Sequence, residues 1–170
     1  MNETPEELEA LQRLLDASIG SAGRHLTAIV SPPRRLSARQ LVAALAGMKV
    51  LVVATVTAAG EPRTSCVDGH FLHGTWMFGT AGYAHKARDL AARPAISVTH
   101  VDGERMAVFT HGRADYITPD DPRFAPFDAH FIAHYGSSPR EWGPEPVFIE
   151  VRPHWMVAYA MDAAGFPSQP

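Results

Sequence analysis

Hydrophobic and polar positions along the chain predict two helices ahead of a series of short strands. The first helix begins at a capping box formed by Thr4 and Glu7, with proline at the first helical position. Its leucines recur every three or four residues on one face, and it ends near Gly20. A second capping box begins at Ser37, and the short helix that follows ends at Gly47.

Short stretches rich in β-branched and aromatic residues predict antiparallel strands in the rest of the chain. Six of them are residues 50–56, 62–68, 75–78, 95–101, 106–117 and 147–151, and a seventh is predicted at 156–160, after a bend at Arg152-Pro153. Gly112 inside the fifth stretch predicts a bulge or a barrel corner. Helical patterns at 84–90 and 124–135 interrupt the series. Short antiparallel strands with few helices favour a closed or split β-barrel.

This pattern divides the chain into three parts. Residues 1–35 are predicted to be an N-terminal helix and linker arm, because 20–35 lack a clear period and contain Ser-Pro-Pro-Arg-Arg. Residues 36–160 are predicted to be the barrel domain, and residues 161–170 a C-terminal tail.

Composition narrows the classes of protein to which the chain can belong. A length of 170 residues suits one domain, and a formal net charge of −3 gives no global field that attracts nucleic acid. Cys66 is the only cysteine, which excludes an internal disulfide. No signal-peptide pattern and no apolar run of membrane-spanning length occur, so we expect a cytoplasmic protein without a nucleic-acid or membrane partner.

Several short motifs, in their order and spacing, resemble the flavin-binding split-barrel family. They are Ala-Thr-Val, Gly-x-Pro-Arg, Phe-Gly-Thr, Lys-Ala-Arg-Asp-Leu and Arg-Pro-Ala-Ile-Ser-Val, and the resemblance covers Leu41 to Pro153. The family includes pyridoxamine 5'-phosphate oxidase and the flavin and deazaflavin oxidoreductases. The resemblance implies a mainly β, homodimeric split barrel that binds FMN, or alternatively a deazaflavin coenzyme, at the subunit interface. It also implies hydride or electron transfer between a reduced cofactor and a small molecule.

The start of the helix at 84–90 is the predicted phosphate site. A helix N-terminus has free N–H groups and a positive dipole end, and cations follow it here. In the resembling oxidases a Thr and then Ser-Arg-Lys hold the flavin phosphate. On this chain Thr80 matches the Thr, Ala84 falls at the Ser, His85 at the Arg and Lys86 at the Lys, with Arg88 as a substitute cation.

The strand at 62–68 is predicted to follow the edge of the flavin ring. The resemblance implies that Arg63, Thr64 and Ser65 lie along this edge, and that Phe78 and Gly79 of Phe-Gly-Thr also contribute to the cofactor site. Where the oxidase has an Arg and a Lys for its substrate, this chain has Ser65 and His70. We therefore expect a site that binds a flavin-type cofactor but oxidises pyridoxamine 5'-phosphate negligibly.

Alternatives remain at this point. A carrier or sensor that binds flavin or haem without turnover is a second hypothesis, and a deazaflavin enzyme is a third. The acidic tail of a deazaflavin coenzyme needs a basic groove, for which the candidates are Arg34, Arg35, Arg88 and Arg93.

The histidines give two weaker hypotheses. His130 and His134 sit four residues apart on a helical pattern and could share a metal, but no third ligand is indicated, so no metal site is assigned. His100 and His111 could meet across a hairpin. No residue is assigned a catalytic role, because in such a site the cofactor carries the redox chemistry.

Overall fold

The computed structural model describes residues 3–167, and six antiparallel strands in this range form a closed barrel. The strands are β1 (Met48–Val56), β2 (Pro62–Leu72), β3 (Thr75–Ala81), β4 (Ala95–Asp102), β5 (Met106–Ile117) and β6 (Pro146–Ala160). Their order around the barrel is β1-β2-β3-β6-β5-β4, and β4 pairs with β1. The predicted mainly β class and the predicted barrel are therefore confirmed.

β6 is one continuous strand where two were predicted. The pairing of β5 with β6 shifts register between His111 and Gly112, which face Trp155 and Pro153 respectively. A Cβ atom on Gly112 would lie 2.3 Å from the carbonyl oxygen of Arg152, so only glycine fits at this bulge. The sequence correctly placed an irregularity here, but the strand continues through it because a bulge absorbs the extra residue.

Five α-helices lie in the described range. They are α1 (Pro5–Gly20), α2 (Arg24–Ile29), α3 (Ala38–Ala44), α4 (His85–Ala92) and α5 (Phe124–Tyr135), and short 3-10 turns cover Pro32–Arg34, Pro139–Glu141 and Ala163–Gly165. Both predicted capping boxes form, Thr4 with Glu7 and Ser37 with Gln40.

The N-terminal segment packs onto the barrel. Leucines of α1 belong to the same core cluster as the barrel interior, and the Ser18 hydroxyl accepts a hydrogen bond from the Met156 N–H at 2.9 Å. The segment 20–35, predicted as a linker, contains α2 and a 3-10 turn. Its end is bound to the barrel, since Arg35 forms a β-bridge with Tyr159. A buried Val30 anchors the segment, although no periodic pattern precedes it.

The C-terminal segment is also ordered as far as it is described. The Gln40 side chain donates hydrogen bonds to the carbonyls of Ala163 and Phe166 at 2.7 and 3.2 Å, and Phe166 is buried. Residues 168–170 of the predicted tail lie outside the described residues. In residues 3–167 no helix is both long enough and apolar enough to cross a membrane.

Candidate functional site

A stretch of β2 has an unpaired edge, which we call the open edge of β2 (residues 62–68). β2 pairs with β1 from residue 62 to residue 70, but it pairs with β3 only from 69 to 72. On the side away from β1, residues 62–68 have no strand partner within the described chain. Main-chain N–H and C=O groups on this side are therefore available to a ligand.

α4 begins close to this edge. It starts at His85, shortly after β3 ends at Ala81, and its N-cap Ala84 has no side chain that can accept from the first N–H groups. These N–H groups are consequently left for an external acceptor. The side chain of Lys86 is half-buried, and within residues 3–167 it forms no ion pair with a carboxylate. Arg88 approaches the His85 ring, with Nη2 3.3 Å from Nδ1.

A buried carboxylate holds α4 against the barrel. Asp89 accepts from Arg63 Nη1 at 2.8 Å and from Arg93 Nη2 at 3.0 Å, and Thr55 Oγ1 lies 3.4 Å away. Arg63, which was predicted as a cofactor contact, pairs through its guanidinium with Asp89. This ion pair joins α4, whose start is the predicted phosphate site, to the open edge of β2. No role for Asp89 was predicted from the sequence, because its partner Arg63 lies 26 residues away.

The other predicted site residues lie on both sides of the barrel wall. Thr64 is exposed and Ser65 is half-buried on the open edge of β2, whereas Phe78 is only 1% exposed. The Phe78 ring is part of the core, so it offers no accessible surface to a cofactor. Gly79 and Thr80 line a small cavity of about 150 Å³. The same cavity is lined by Tyr83 and Trp142, which are among the exposed aromatic residues.

The four arginines proposed for a deazaflavin tail do not form one groove within a chain. Arg93 donates from Nε to the carbonyl of Val56 in β1, whereas Arg35 bridges to Tyr159 in β6. β1 and β6 are three places apart in a ring of six strands, so these two arginines lie on opposite sides of the barrel. Arg35 also donates from Nε to the carbonyl of Val30, and both side chains therefore have structural partners.

Three histidines form a cluster beside α5, in which His70 of β2 is buried, His130 is half-buried and His134 is exposed. His70 Nδ1 is 3.0 Å from His130 Nε2, and His70 Nε2 is 2.9 Å from the Tyr135 hydroxyl. The ring of His134 lies 5.0 Å from that of His70 in an edge-to-face arrangement. Burial, and then the charges of His130 and His134, lowers the pKa of His70 to about 4. Burial also lowers the pKa of His130, so His70 and His130 are both neutral at pH 7.

The earlier hypotheses about histidines are corrected by this geometry. His130 and His134 do gather around a third histidine, but no group of three ligating side chains able to hold a metal ion occurs in residues 3–167. His100 and His111 do not meet. His100 Nδ1 lies 3.0 Å from the carbonyl of Val50, while His111 bonds to Ser97 and stacks on Trp155.

Comparison with known proteins gives one sequence-level match. The family model described as pyridoxamine 5'-phosphate oxidase matches residues 37–159. No curated protein matches the sequence at a significant level.

Similar solved structures share the fold. A protein of unknown function from Agrobacterium tumefaciens is 25% identical, with a TM-score of 0.59 over 71% of this chain. This chain spans about half of that protein, 54% of its length. A protein titled F420 reductase is 21% identical, with a TM-score of 0.52, and the match covers 66% of this chain and 91% of that one. The haem storage protein from Vibrio cholerae is 18% identical, with a TM-score of 0.57, and the match covers 72% of this chain and 90% of that one.

Proposed function

The chain belongs to the pyridoxamine 5'-phosphate oxidase family, and we propose that it is a flavin-dependent oxidoreductase. FMN is the proposed cofactor, and the reaction is transfer of a hydride or electrons between a reduced cofactor and a small molecule. The observation that carries the proposal is the open edge of β2 beside the uncapped start of α4. The open edge of β2 suits the polar edge of a flat ring, and the start of α4 suits a phosphate.

The residues present fit such a cofactor. The pyrimidine edge of a flavin carries alternating donors and acceptors, which match main-chain groups along the open edge of β2 (residues 62–68). The N–H groups at the start of α4 and the Lys86 ammonium match a phosphate. Thr64 and Ser65 add hydroxyls on the same strand.

Each part of the site would have a distinct role. A bound flavin supplies the hydride chemistry, and the protein supplies binding and orientation. Lys86 and the first N–H groups of α4 would hold the phosphate, and the pairing of Asp89 with Arg63 would keep these donors at a fixed position relative to β2. N–H groups near Ser65 and Cys66 would stabilise negative charge on the reduced ring.

We also propose that the protein is a homodimer. The outward side of β1 exposes Val50, Val52 and Val56, with Val50 at 55%, although these residues lie in the middle of a sheet. The neighbouring strand β4 adds Val101, which is also 55% exposed. Contiguous exposed valines indicate a surface that another protein chain covers. A twofold contact between identical chains is the commonest way to cover such a surface.

The proposed function is tested by titrating FMN into the wild-type protein and into Lys86→Ala. A charge-assisted hydrogen bond contributes about 1.5–3 kcal/mol, so the dissociation constant should rise roughly 10-fold to 150-fold. Lys49→Ala is the matched control, because Lys49 lies on β1 away from α4. No FMN binding by the wild type would refute the function. Equal affinities of the wild type and Lys86→Ala would show that the Lys86 side chain faces solvent and does not bind the phosphate.

Two alternatives remain within the same fold. The similar protein titled F420 reductase supports a deazaflavin coenzyme, which would use the same edge of β2. The Vibrio cholerae haem storage protein supports a haem carrier without turnover. The absorbance spectrum of the purified protein, with mass spectrometry of any released cofactor, distinguishes the three because flavin, deazaflavin and haem absorb differently.

A further inference from the structure

A second cavity lies beyond the open edge of β2, at the end of the strand that contains Leu72. It has a volume of about 780 Å³, a size typical of small-molecule sites, and it lies between α5, the β2–β3 hairpin and the start of α1. The phosphate site follows the other end of β3. The β3 residue that lines the cavity is Met77, which is about 13 Å along the strand from the end of β3 at Ala81, so the cavity and the phosphate site are separate.

The floor and one wall of this cavity are apolar. Buried side chains from four elements form the floor, namely Leu72, Met77, Ile117 and Phe127. The wall is a stripe of small residues on α5, which includes Ala129 and Ala133. Since these side chains are short, they leave room for the body of a ligand beside the helix. An aliphatic or aromatic group of several carbons would bury its surface here.

The rim of the cavity is acidic. Glu7 and Glu150 line it, and the basic side chains that face them are Arg123 and His73, whose Nδ1 lies 3.1 Å from Glu7 Oε1. Arg123 is already neutralised, because it bonds to Asp115 at 2.8 Å, to Asp121, and to Glu150. The carboxylates around the rim are Glu7, Glu150, Asp115 and Asp121, and the guanidiniums are Arg123 and Arg152, which lies beside Asp115. Their formal charge is −2 when the histidines of the rim are neutral.

We infer that this cavity is a binding site for small organic cations, in which an apolar body contacts the floor and a protonated amine faces Glu7 and Glu150. Charge complementarity selects this class over organic anions. His130 also lines the cavity, and its ring nitrogen Nε2 is already bonded to His70. The neutral imidazole therefore adds no positive charge that would repel the amine.

A matched pair of probes tests the inference. 4-Phenylbutylamine and 4-phenylbutyrate have the same body and opposite charges, so a titration followed by two-dimensional NMR separates apolar binding from charge selection. We expect saturable shifts at α5 residues such as Ala129 and Ala133, with the amine binding at least about tenfold more tightly than the carboxylate. Equal affinities, or shifts only at α4 and β2, would overturn the inference.

Two substitutions and one control variant locate the site. Ala129→Phe places a ring in the cavity and should abolish amine binding, whereas Ala125→Phe, on an exposed position of α5 outside the cavity, should leave it unchanged. Glu7→Gln keeps the capping box with Thr4 while removing one charge, and it should weaken the amine about threefold. If Ala129→Phe instead shifts the sedimentation coefficient of the protein, a second copy of the chain occupies the cavity, and the inference is wrong.

Discussion

Acidification should destabilise the fold through His70. This side chain is 1% exposed, and burial together with His130 and His134 lowers its pKa to about 4 from the ordinary value of 6.5. The unfolded chain therefore binds a proton at a higher pH than the folded chain does. The contribution of neutral His70 to the free energy of unfolding is complete above pH 6.5. It is lost progressively as the pH falls from 6.5 to about 4.

The size of the effect follows from the pKa difference. Each pKa unit corresponds to about 1.4 kcal/mol, so a lowering from 6.5 to about 4 is equivalent to about 3 kcal/mol in full. Between pH 7 and pH 5 the loss from this one group is about 2 kcal/mol. A loss of this size is a large fraction of the stability of an ordinary domain.

The assay is urea denaturation at pH 7 and pH 5 with the protein concentration held constant. His70→Gln removes the titrating group and keeps polar atoms near His130 and Tyr135, so its loss of stability between the two pH values should be smaller by about 2 kcal/mol. His25→Gln, on the exposed side of α2, is the matched control and should behave like the wild type. The reasoning is refuted if His70→Gln and the wild type lose the same stability, or if NMR titration gives His70 a pKa near 6.5.

Three further predictions concern the proposed site. The protein with added FMN should oxidise pyridoxamine 5'-phosphate negligibly in a steady-state assay, because Ser65 is uncharged and His70 is buried and neutral. Turnover near one per second at micromolar substrate would contradict this prediction. Sedimentation equilibrium at micromolar concentration should give a dimer, and a monomer that binds cofactor fully would exclude the interface proposed at β1. Asp89→Asn should lower the free energy of unfolding by about 1–3 kcal/mol and weaken FMN binding. The control Asp102→Asn affects only an exposed ion pair and should have little effect on either. Equal effects of the two substitutions would exclude the proposed role of Asp89.

Local features of the molecule were predictable because their causes lie within a few residues. Thr4 and Glu7, and Ser37 and Gln40, form capping boxes wherever a helix begins at them, and both boxes are present. Alternating burial in β1 follows from the two-residue period of a strand. Gly112 marked the irregularity between β5 and β6 in the sequence, but the group that excludes a side chain there is the Arg152 carbonyl oxygen of β6, which only the tertiary structure reveals.

Only the tertiary structure decided which distant residues meet. His70 and His130 are 60 residues apart, and Arg63 and Asp89 are 26 apart, so no periodic pattern links them. Their contacts depend on the register of the strands and on where α4 and α5 cross the barrel. The open edge of β2 has the same origin, because β3 diverges from β2 after Phe78 while it stays paired with β6. A sequence determines which face of each element is apolar, whereas partners across the barrel are determined by how all six strands close together.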